Sequence, residues 1–426
     1  MKEGAFLGKN NHHLAKKLSS AFLILCLLLI IAHSTYVFSA SETGTSKGLV
    51  KLRILETTDV HTNIMSFDYK LALPNQKVGL AKTATLVKKA RQEVENNILV
   101  DNGDLIQGTA LGTYKAIISP LTSTEVHPMI KVLNIMDYDI ATLGNHEFNY
   151  GLDFLKEVYN DATFPYVNAN VYIDDHDNNP NNDKNKFQPY KIMKKKVVDE
   201  NGKKQVINIG YIGFLPPQAN VWDKANLEGK VIVKGILDTA KKFIPEMKKQ
   251  GTDIVIALVH SGFSSDKSDP NNVVYALSEV PGIDAITFSH THKQFPAKSL
   301  AMLDGTFQGK DKKPLPGIDN EKGTINGIPA VQAGSGGGSL GIIDLSLKRE
   351  NGKWRVVDSK TFTREIWQDQ LDPVSGKMKT SSMVEPDPKI TKLIYPEHMA
   401  TIKYMEAAKN DISHQSKVKK KSFTKK

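Results

Sequence analysis

Apolar positions in this chain of 426 residues recur in two rhythms. Compact apolar runs at residues 49–55, 98–100, 139–143, 253–259 and 283–288 read as strands. The run at 253–259 is so uniformly apolar that it suits a central strand covered on both faces. Between these runs, apolar residues three and four apart mark helices. Residues 79–95 place Leu80, Ala84, Leu86, Val87 and Ala90 at that spacing with Lys and Arg between them, and residues 126–136, 152–159 and 235–250 are also helical. Asn201-Gly202 between the runs 190–198 and 205–214 is a strong hairpin signal, and Asn351-Gly352 marks another. Further strands fall at 324–333 and 340–347 around the glycine-rich stretch 334–341, GSGGGSLG. A phosphate cradle needs a helix directly after its glycines; a strand follows here, so the stretch reads as a flexible connection. Residues 386–408, with Ile390, Leu393, Ile394, Met399, Ile402 and Met405, suit a last helix. Strand, loop and helix succeed one another three times in the first half, which is α/β architecture with polar groups gathered at one sheet edge.

The length allows two or three average domains, or one large domain with appendages. A formal charge of +10 invites a nucleic-acid or membrane reading, but the first 40 residues hold a net +3 and the last fifteen a net +6, leaving +1 for the body. No nucleic-acid polymer is expected as a partner, and residues 409–426 read as a basic, disordered tail. Residues 1–40 have the layout of a signal peptide: Lys16-Lys17, an apolar run over 21–32, then small residues at Ser39 and Ala40. An apolar run of 12 residues makes a helix of about 18 Å, short of the ~30 Å hydrocarbon core, so removal is expected near residues 39–41 and the membrane is met only in transit. The single cysteine, Cys26, lies inside that run, which leaves the mature chain no thiol for a disulfide or a cysteine-ligated metal.

Candidate chemistry gathers just past the strand ends. Asp59 and His61, two apart on extended backbone, point to one side, which suits metal ligation and equally a solvated strand end. Gly103 lets the chain turn so that the Asp104 carboxylate projects, with Asp101 left as a supporting group or a turn former. The loop LGNHEFNYG over 143–151 sets Asn145, an oxygen ligand, beside His146, a proton carrier; a polar turn with a helix cap is the plainer alternative. His260 follows 253–259, and His290 and His292 follow 283–288. Five of the nine histidines beyond residue 40 lie at such ends, which random placement does not give. Asp59, His61, Asp104, Asn145, His260, His290 and His292 are too many ligands for one tetrahedral ion and suit two ions that share a carboxylate. Mixed imidazole and carboxylate donors favour Mn²⁺, Zn²⁺ or Fe over Mg²⁺ or Ca²⁺.

The succession DVH, DNGDLIQG, GNHEFNYG, VHSG and HTH resembles the calcineurin-like metallophosphoesterases. More narrowly, ILETTDVHTNI, GLAKTATL, DNGDLIQG and GNHEFNYGLDFL resemble the exported 2′,3′-cyclic-nucleotide 2′-phosphodiesterase/3′-nucleotidases. The likeness runs over residues 49–362 and implies a layered α/β sandwich of two mixed β-sheets flanked by helices, with the catalytic domain over 49–370. It further implies Asp59, His61, Asp104 and His292 around one metal, and Asp104, Asn145, His260 and His290 around the other. Asp104 would be the bridge, and His146 would contact the phosphoryl group and protonate the leaving oxygen. The implied reaction opens 2′,3′-cyclic nucleotides to 3′-nucleotides and then removes that phosphate, in an exported monomer acting on small nucleotides. A 5′-nucleotidase is the alternative among enzymes, and an inactive surface or binding remnant the alternative outside them. Two positions depart from the pattern. Asn149 stands where 5′-nucleotidase relatives carry an acid to pair with the histidine, which favours the cyclic-phosphodiesterase branch; Ser289 stands where relatives have Gly, so that its Cβ is expected to crowd His290. In the family a helix like 386–408 leads to a second, base-stacking domain, which the resemblance implies is missing here.

Overall fold

Strand-forming segments sort into two sheets according to which face each one buries. The computed structural model describes residues 48–423 apart from 178, 180, 181 and 374, so the expected signal peptide lies outside the described residues. In chain order the strands that carry the site are β1 (Val50–Thr57), β2 (Asn97–Asp101), β3 (Ile140–Thr142), β4 (Tyr166–Val167), β5 (Tyr190–Val198) and β6 (Lys204–Phe214). They continue with β7 (Ile254–Val259), β8 (Ala285–Phe288), β9 (Ile328–Ala333), β10 (Ser339–Glu350) and β11 (Lys353–Glu365). The helices used below are α1 (Leu80–Gln92), α2 (Pro128–Met136), α3 (Gly151–Asn160), α4 (Ala219–Trp222), α5 (Lys224–Leu227), α6 (Ile236–Lys249) and α7 (Pro388–Phe423).

The first sheet has the order β11-β10-β1-β2-β3-β4, in which β1 to β4 run parallel and the hairpin β10–β11 is antiparallel. The second is built on β9-β8-β7-β6-β5, parallel from β6 to β9 and closed by the antiparallel hairpin β5–β6. Strand alternation explains the layering. In β7, Ile254, Ile256 and Leu258 meet Leu52, Ile54, Ile98 and Val100 of the first sheet, while Val255, Ala257 and Val259 face Ala240, Ile244 and Met247 of α6. Each such side chain contributes about 1.5–3 kcal/mol on burial. Leu55 of β1 points the other way, into a core with Leu80, Val87 and Leu133 of α1 and α2. The result is the expected sandwich of two mixed sheets with helices outside.

Three local readings change. The run 324–333 is not one strand: Asn326 and Gly327 take left-handed φ of 50° and 80°, and Thr324–Ile325 folds back on β9. This is the Asn-Gly hairpin signal again, hidden by a continuous apolar pattern. The glycine stretch is packed rather than flexible: Gly336 accepts from Gly79 N (2.9 Å) and donates to the Asp59 carbonyl (2.7 Å), and a Cβ on Gly337 would lie 2.9 Å from Leu80 N. Last, the helix expected over 386–408 begins at Pro388 and runs to Phe423, through the tail expected to be disordered. After Pro396 that segment has neither Gly nor Pro and is rich in Lys, a good helix former whose propensity the charge count overlooks. Its first turns bury Ile390 and Ile394, and Glu397 pairs with Lys131 of α2 at 2.6 Å. Among the described residues no helix is long and apolar enough to cross a membrane.

Candidate metal centre

Parallel strands bring their C-terminal ends to one edge, and each ligand candidate leaves such an end. Asp59 and His61 follow β1, Asp104 follows β2, Asn145 and His146 follow β3, His260 follows β7, and His290 and His292 follow β8. Asp59 and His61 are not on extended backbone as expected. With Asp104, His290 and His292 they take left-handed φ of 47°, 49°, 56°, 75° and 58°. Such backbone costs a non-glycine residue about 1–3 kcal/mol and persists only where its surroundings over-determine it. The bonds from Asp59 N to Gly103 O (3.0 Å), His61 N to Asp104 O (2.9 Å) and Gly336 N to Asp59 O (2.7 Å) supply that constraint. Gly144 allows the loops to close up, because a Cβ there would lie 2.2 Å from Asp104 Oδ1 and 2.6 Å from His260 Cε1.

Two groups of donor atoms result, each with all its atoms within 4.8 Å of one another: Asp59, His61 and His292 in one, Asp104, His260 and His290 in the other. Asp104 Oδ2 lies 3.1 Å from His260 Nε2 and 3.8 Å from His61 Nε2, so it faces both groups. Ring orientations are set from behind. His61 Nδ1 donates to Gln107 O (2.8 Å) and His260 Nδ1 to Asn102 O (2.7 Å), which turns each Nε2 lone pair inward. The Nε2 atoms of His61 and His292 are only 3.0 Å apart. Asn145 Oδ1 is buried without a hydrogen-bond partner, and buried Asp59 Oδ1 and His260 Nε2 have only ionisable neighbours, His292 Nε2 at 3.5 Å and Asp104 Oδ2 at 3.1 Å, a costly arrangement unless a cation completes it. These inward donors fit divalent ions.

Charge in the centre is correspondingly unbalanced. Burial works to raise Asp104, but His260, His61 and His146 outweigh it and hold the carboxyl well below the usual range. Burial opposes protonation of His260, yet Asp104 and Asp59 push it up to about 10. His292 is raised by its bond to Asp59, and burial beside His260 pulls His290 down to about 4. Without ions, a proton on His260 therefore offsets the acids; it contributes stability that is complete below the ordinary histidine value and lost as pH rises toward about 10. Cations replace that proton, so chelation is expected to lower the melting temperature little near about pH 5.5 and clearly more near about pH 8.5. Thermal scans with and without chelator check this; an effect that does not grow with pH would contradict it.

His146 sits beside both groups, 38 % exposed, with Nε2 at 4.0 Å from Asp104 Oδ2 and Nδ1 donating to Asn149 Oδ1 at 2.6 Å. Its backbone N–H donates to Asp104 Oδ1 (2.8 Å). The Ser289 hydroxyl lies against His260 Nδ1 (3.0 Å) and the Val259 carbonyl (3.3 Å). Several supporting residues escape sequence reasoning. Buried Glu147 accepts from the backbone N–H groups of Asp104 (2.8 Å), Leu105 (2.6 Å) and Gly144 (2.6 Å), clamping two loops together. Asn102 donates to Val259 O (3.2 Å) and accepts from Thr287 (2.9 Å), tying the two sheets. Both lie inside quoted motifs, where position rather than residue type carries the signal. Trp222 and Asp223, at the α4–α5 junction, lie in no motif. The half-exposed Trp222 indole stacks on the His290 ring at 5.4 Å and 30°, and buried Asp223 accepts from Asn149 Nδ2 at 2.7 Å. Burial raises the Asp223 carboxyl.

Comparison with known proteins places this geometry. The calcineurin-like phosphoesterase family matches residues 52–294, and the chain belongs to that family. It is 47 % identical over 358 residues to the 2′,3′-cyclic-nucleotide 2′-phosphodiesterase/3′-nucleotidase of Salmonella typhimurium, covering 84 % of this chain and 51 % of that protein. The protein of the same name from Haemophilus influenzae is 42 % identical over 380 residues, covering 88 % of this chain and 54 % of its own. The chain thus spans about half the length of these curated relatives. Among solved structures, the calcineurin-like phosphoesterase YfkN from Bacillus subtilis superposes with a TM-score of 0.71 at 41 % identity, over 84 % of this chain and 99 % of that one.

Proposed function

We propose that the chain is a two-metal phosphoesterase that opens 2′,3′-cyclic nucleotides to 3′-nucleotides and then removes the remaining phosphate. The observation that carries the reading is Asp104 facing two groups of inward donors with His146 alongside. Asp59, His61, Asp104 and His292 would hold one ion and Asp104, Asn145, His260 and His290 the other, with Mn²⁺, Zn²⁺ or Fe suited to the donor set. Bound there, two divalent cations supply Lewis acidity and offset the charge that builds on the phosphoryl oxygens. The chain's own groups do the rest. His146, its Nδ1–H held by Asn149, presents Nε2 to the departing oxygen; as the imidazolium, with both ring nitrogens protonated, it donates the Nε2 proton there and is left as the neutral Nδ1–H imidazole. The names of the relatives and the amide at Asn149 support the cyclic-nucleotide branch over a 5′-nucleotidase. The N-terminal pattern supports export.

Trp222 offers its open face as a platform for the base. Stacking is worth about 1–3 kcal/mol per base, so Trp222→Ala is expected to raise KM for cyclic AMP roughly 5- to 150-fold while changing KM for simple alkyl phosphates little. Steady-state kinetics on both substrate types decide it; equal rises would remove Trp222 from base binding. The reading as a whole is tested by giving the Mn²⁺-loaded chain 2′,3′-cyclic AMP, 3′-AMP and 5′-AMP, with and without chelator. Conversion to 3′-AMP and then adenosine, stopped by the chelator, is expected; a preference for 5′-AMP, or no hydrolysis, would overturn it.

A further inference from the structure

In a histidine–acid pair the carboxylate accepts directly from imidazole Nδ1–H. Here Asn149 occupies that place, and an amide is ambiguous: turned one way it accepts through Oδ1, turned the other it donates through Nδ2. Only the first holds His146 with Nδ1 protonated and Nε2 facing the reacting centre.

The geometry points to Asp223 as the residue that chooses between these two orientations. Its carboxylate is buried and acceptor-only, and Oδ1 takes the Asn149 Nδ2–H at 2.7 Å. That contact obliges Oδ1 of Asn149 to face His146 Nδ1, where it lies at 2.6 Å. The Asn149 backbone is pinned as well, since Asn226 Nδ2 donates to the carbonyls of Phe148 (2.9 Å) and Asn149 (3.2 Å). The carboxylate, which can only accept, thereby sets the polarity of the chain Asp223–Asn149–His146. The acid of the usual pair is thus present, one hydrogen bond further out and supplied by the α4–α5 junction instead of the GNHEFNYG loop. Asp223 touches no reacting atom; it is a positioning residue.

The inference rests on the proposed phosphoesterase reading for its kinetic consequence and is independent of it for its structural one. Two substrates separate the effects: 2′,3′-cyclic AMP, whose alkoxide leaving group needs a proton, and 4-nitrophenyl phosphate, whose phenolate does not. Asp223→Ala is expected to lower kcat on cyclic AMP roughly 10- to 100-fold, part of the usual general-acid contribution, with kcat on the aryl ester and both KM values little changed. Asp223→Asn, which keeps shape and an acceptor oxygen, should fall between and guards against misfolding. Asn149→Asp alone sets two carboxylates together and should lose rate, whereas Asn149→Asp with Asp223→Asn restores a direct pair and should regain most of it. Nitrogen NMR of ¹⁵N-histidine-labelled full chain reads the tautomer of His146 without any turnover. Protonation at Nδ1 is expected in the wild type and a mixture in Asp223→Ala. Equal losses on both esters, no recovery in the double variant, or an unchanged tautomer would overturn the role of Asp223. A wild type that hydrolyses neither ester yet keeps the Nδ1–H tautomer only with Asp223 present would instead overturn the phosphoesterase reading and uphold this one.

Discussion

Asp104→Asn is expected to reduce hydrolysis of 2′,3′-cyclic AMP by more than about 100-fold, because groups one layer behind a metal ligand already cost about 10- to 100-fold when removed. Asp104 has more to lose than its neighbours. Its Oδ2 faces His260 and His61, one from each donor group, and its Oδ1 accepts from the backbone of His146. Asparagine keeps the shape, so the fold should persist, but it removes the charge that both ions would share. Asp59 belongs to one group alone, so Asp59→Asn should leave part of the metal in place. The measurement is turnover together with metal content for both variants. Activity within a few-fold of wild type in Asp104→Asn would show that Asp104 is not shared.

His146→Ala is expected to cost roughly 10²- to 10⁴-fold in kcat on 2′,3′-cyclic AMP, the usual scale of general acid–base help. The loss should shrink with leaving-group acidity, so that 4-nitrophenyl phosphate is cleaved at a rate much nearer that of the wild type. KM should change little, because removing an interaction made only as the leaving oxygen departs lowers kcat and kcat/KM alike. A plot of kcat against leaving-group acidity for both proteins checks this. Parallel lines would assign His146 to binding instead of proton transfer.

Much of this was legible before any coordinates. The period-2 and helical rhythms located β1, β2, β7 and the helices α1, α2 and α6, because long buried elements leave a strong apolar signature. The convergence of Asp59, His61, Asp104, His260, His290 and His292 was legible for a related reason: parallel strands end at one edge, so polar residues just past apolar runs meet whatever lies between them in sequence. Fine geometry was not legible. Asp59 and His61 look like an extended pair, and only the bonds to Gly103, Asp104 and Gly336 turn them left-handed. Glu147 and Asn102 are ordinary polar residues whose importance comes from the backbone groups that happen to face them. Asp223 and Trp222 lie more than seventy residues beyond the loop they support, on two short helices that no periodicity marks. The basic tail misled through its charge, since lysine-rich segments without Gly or Pro retain helix propensity.

Counting divalent ions on the purified chain separates these possibilities at the root. After loading with Mn²⁺ and removal of excess, wild type and His146→Ala should each carry two ions per chain, since His146 donates to neither group. A wild-type chain that retains one ion or none would mean that Asp59, His61, Asp104, Asn145, His260, His290 and His292 do not form a two-ion centre.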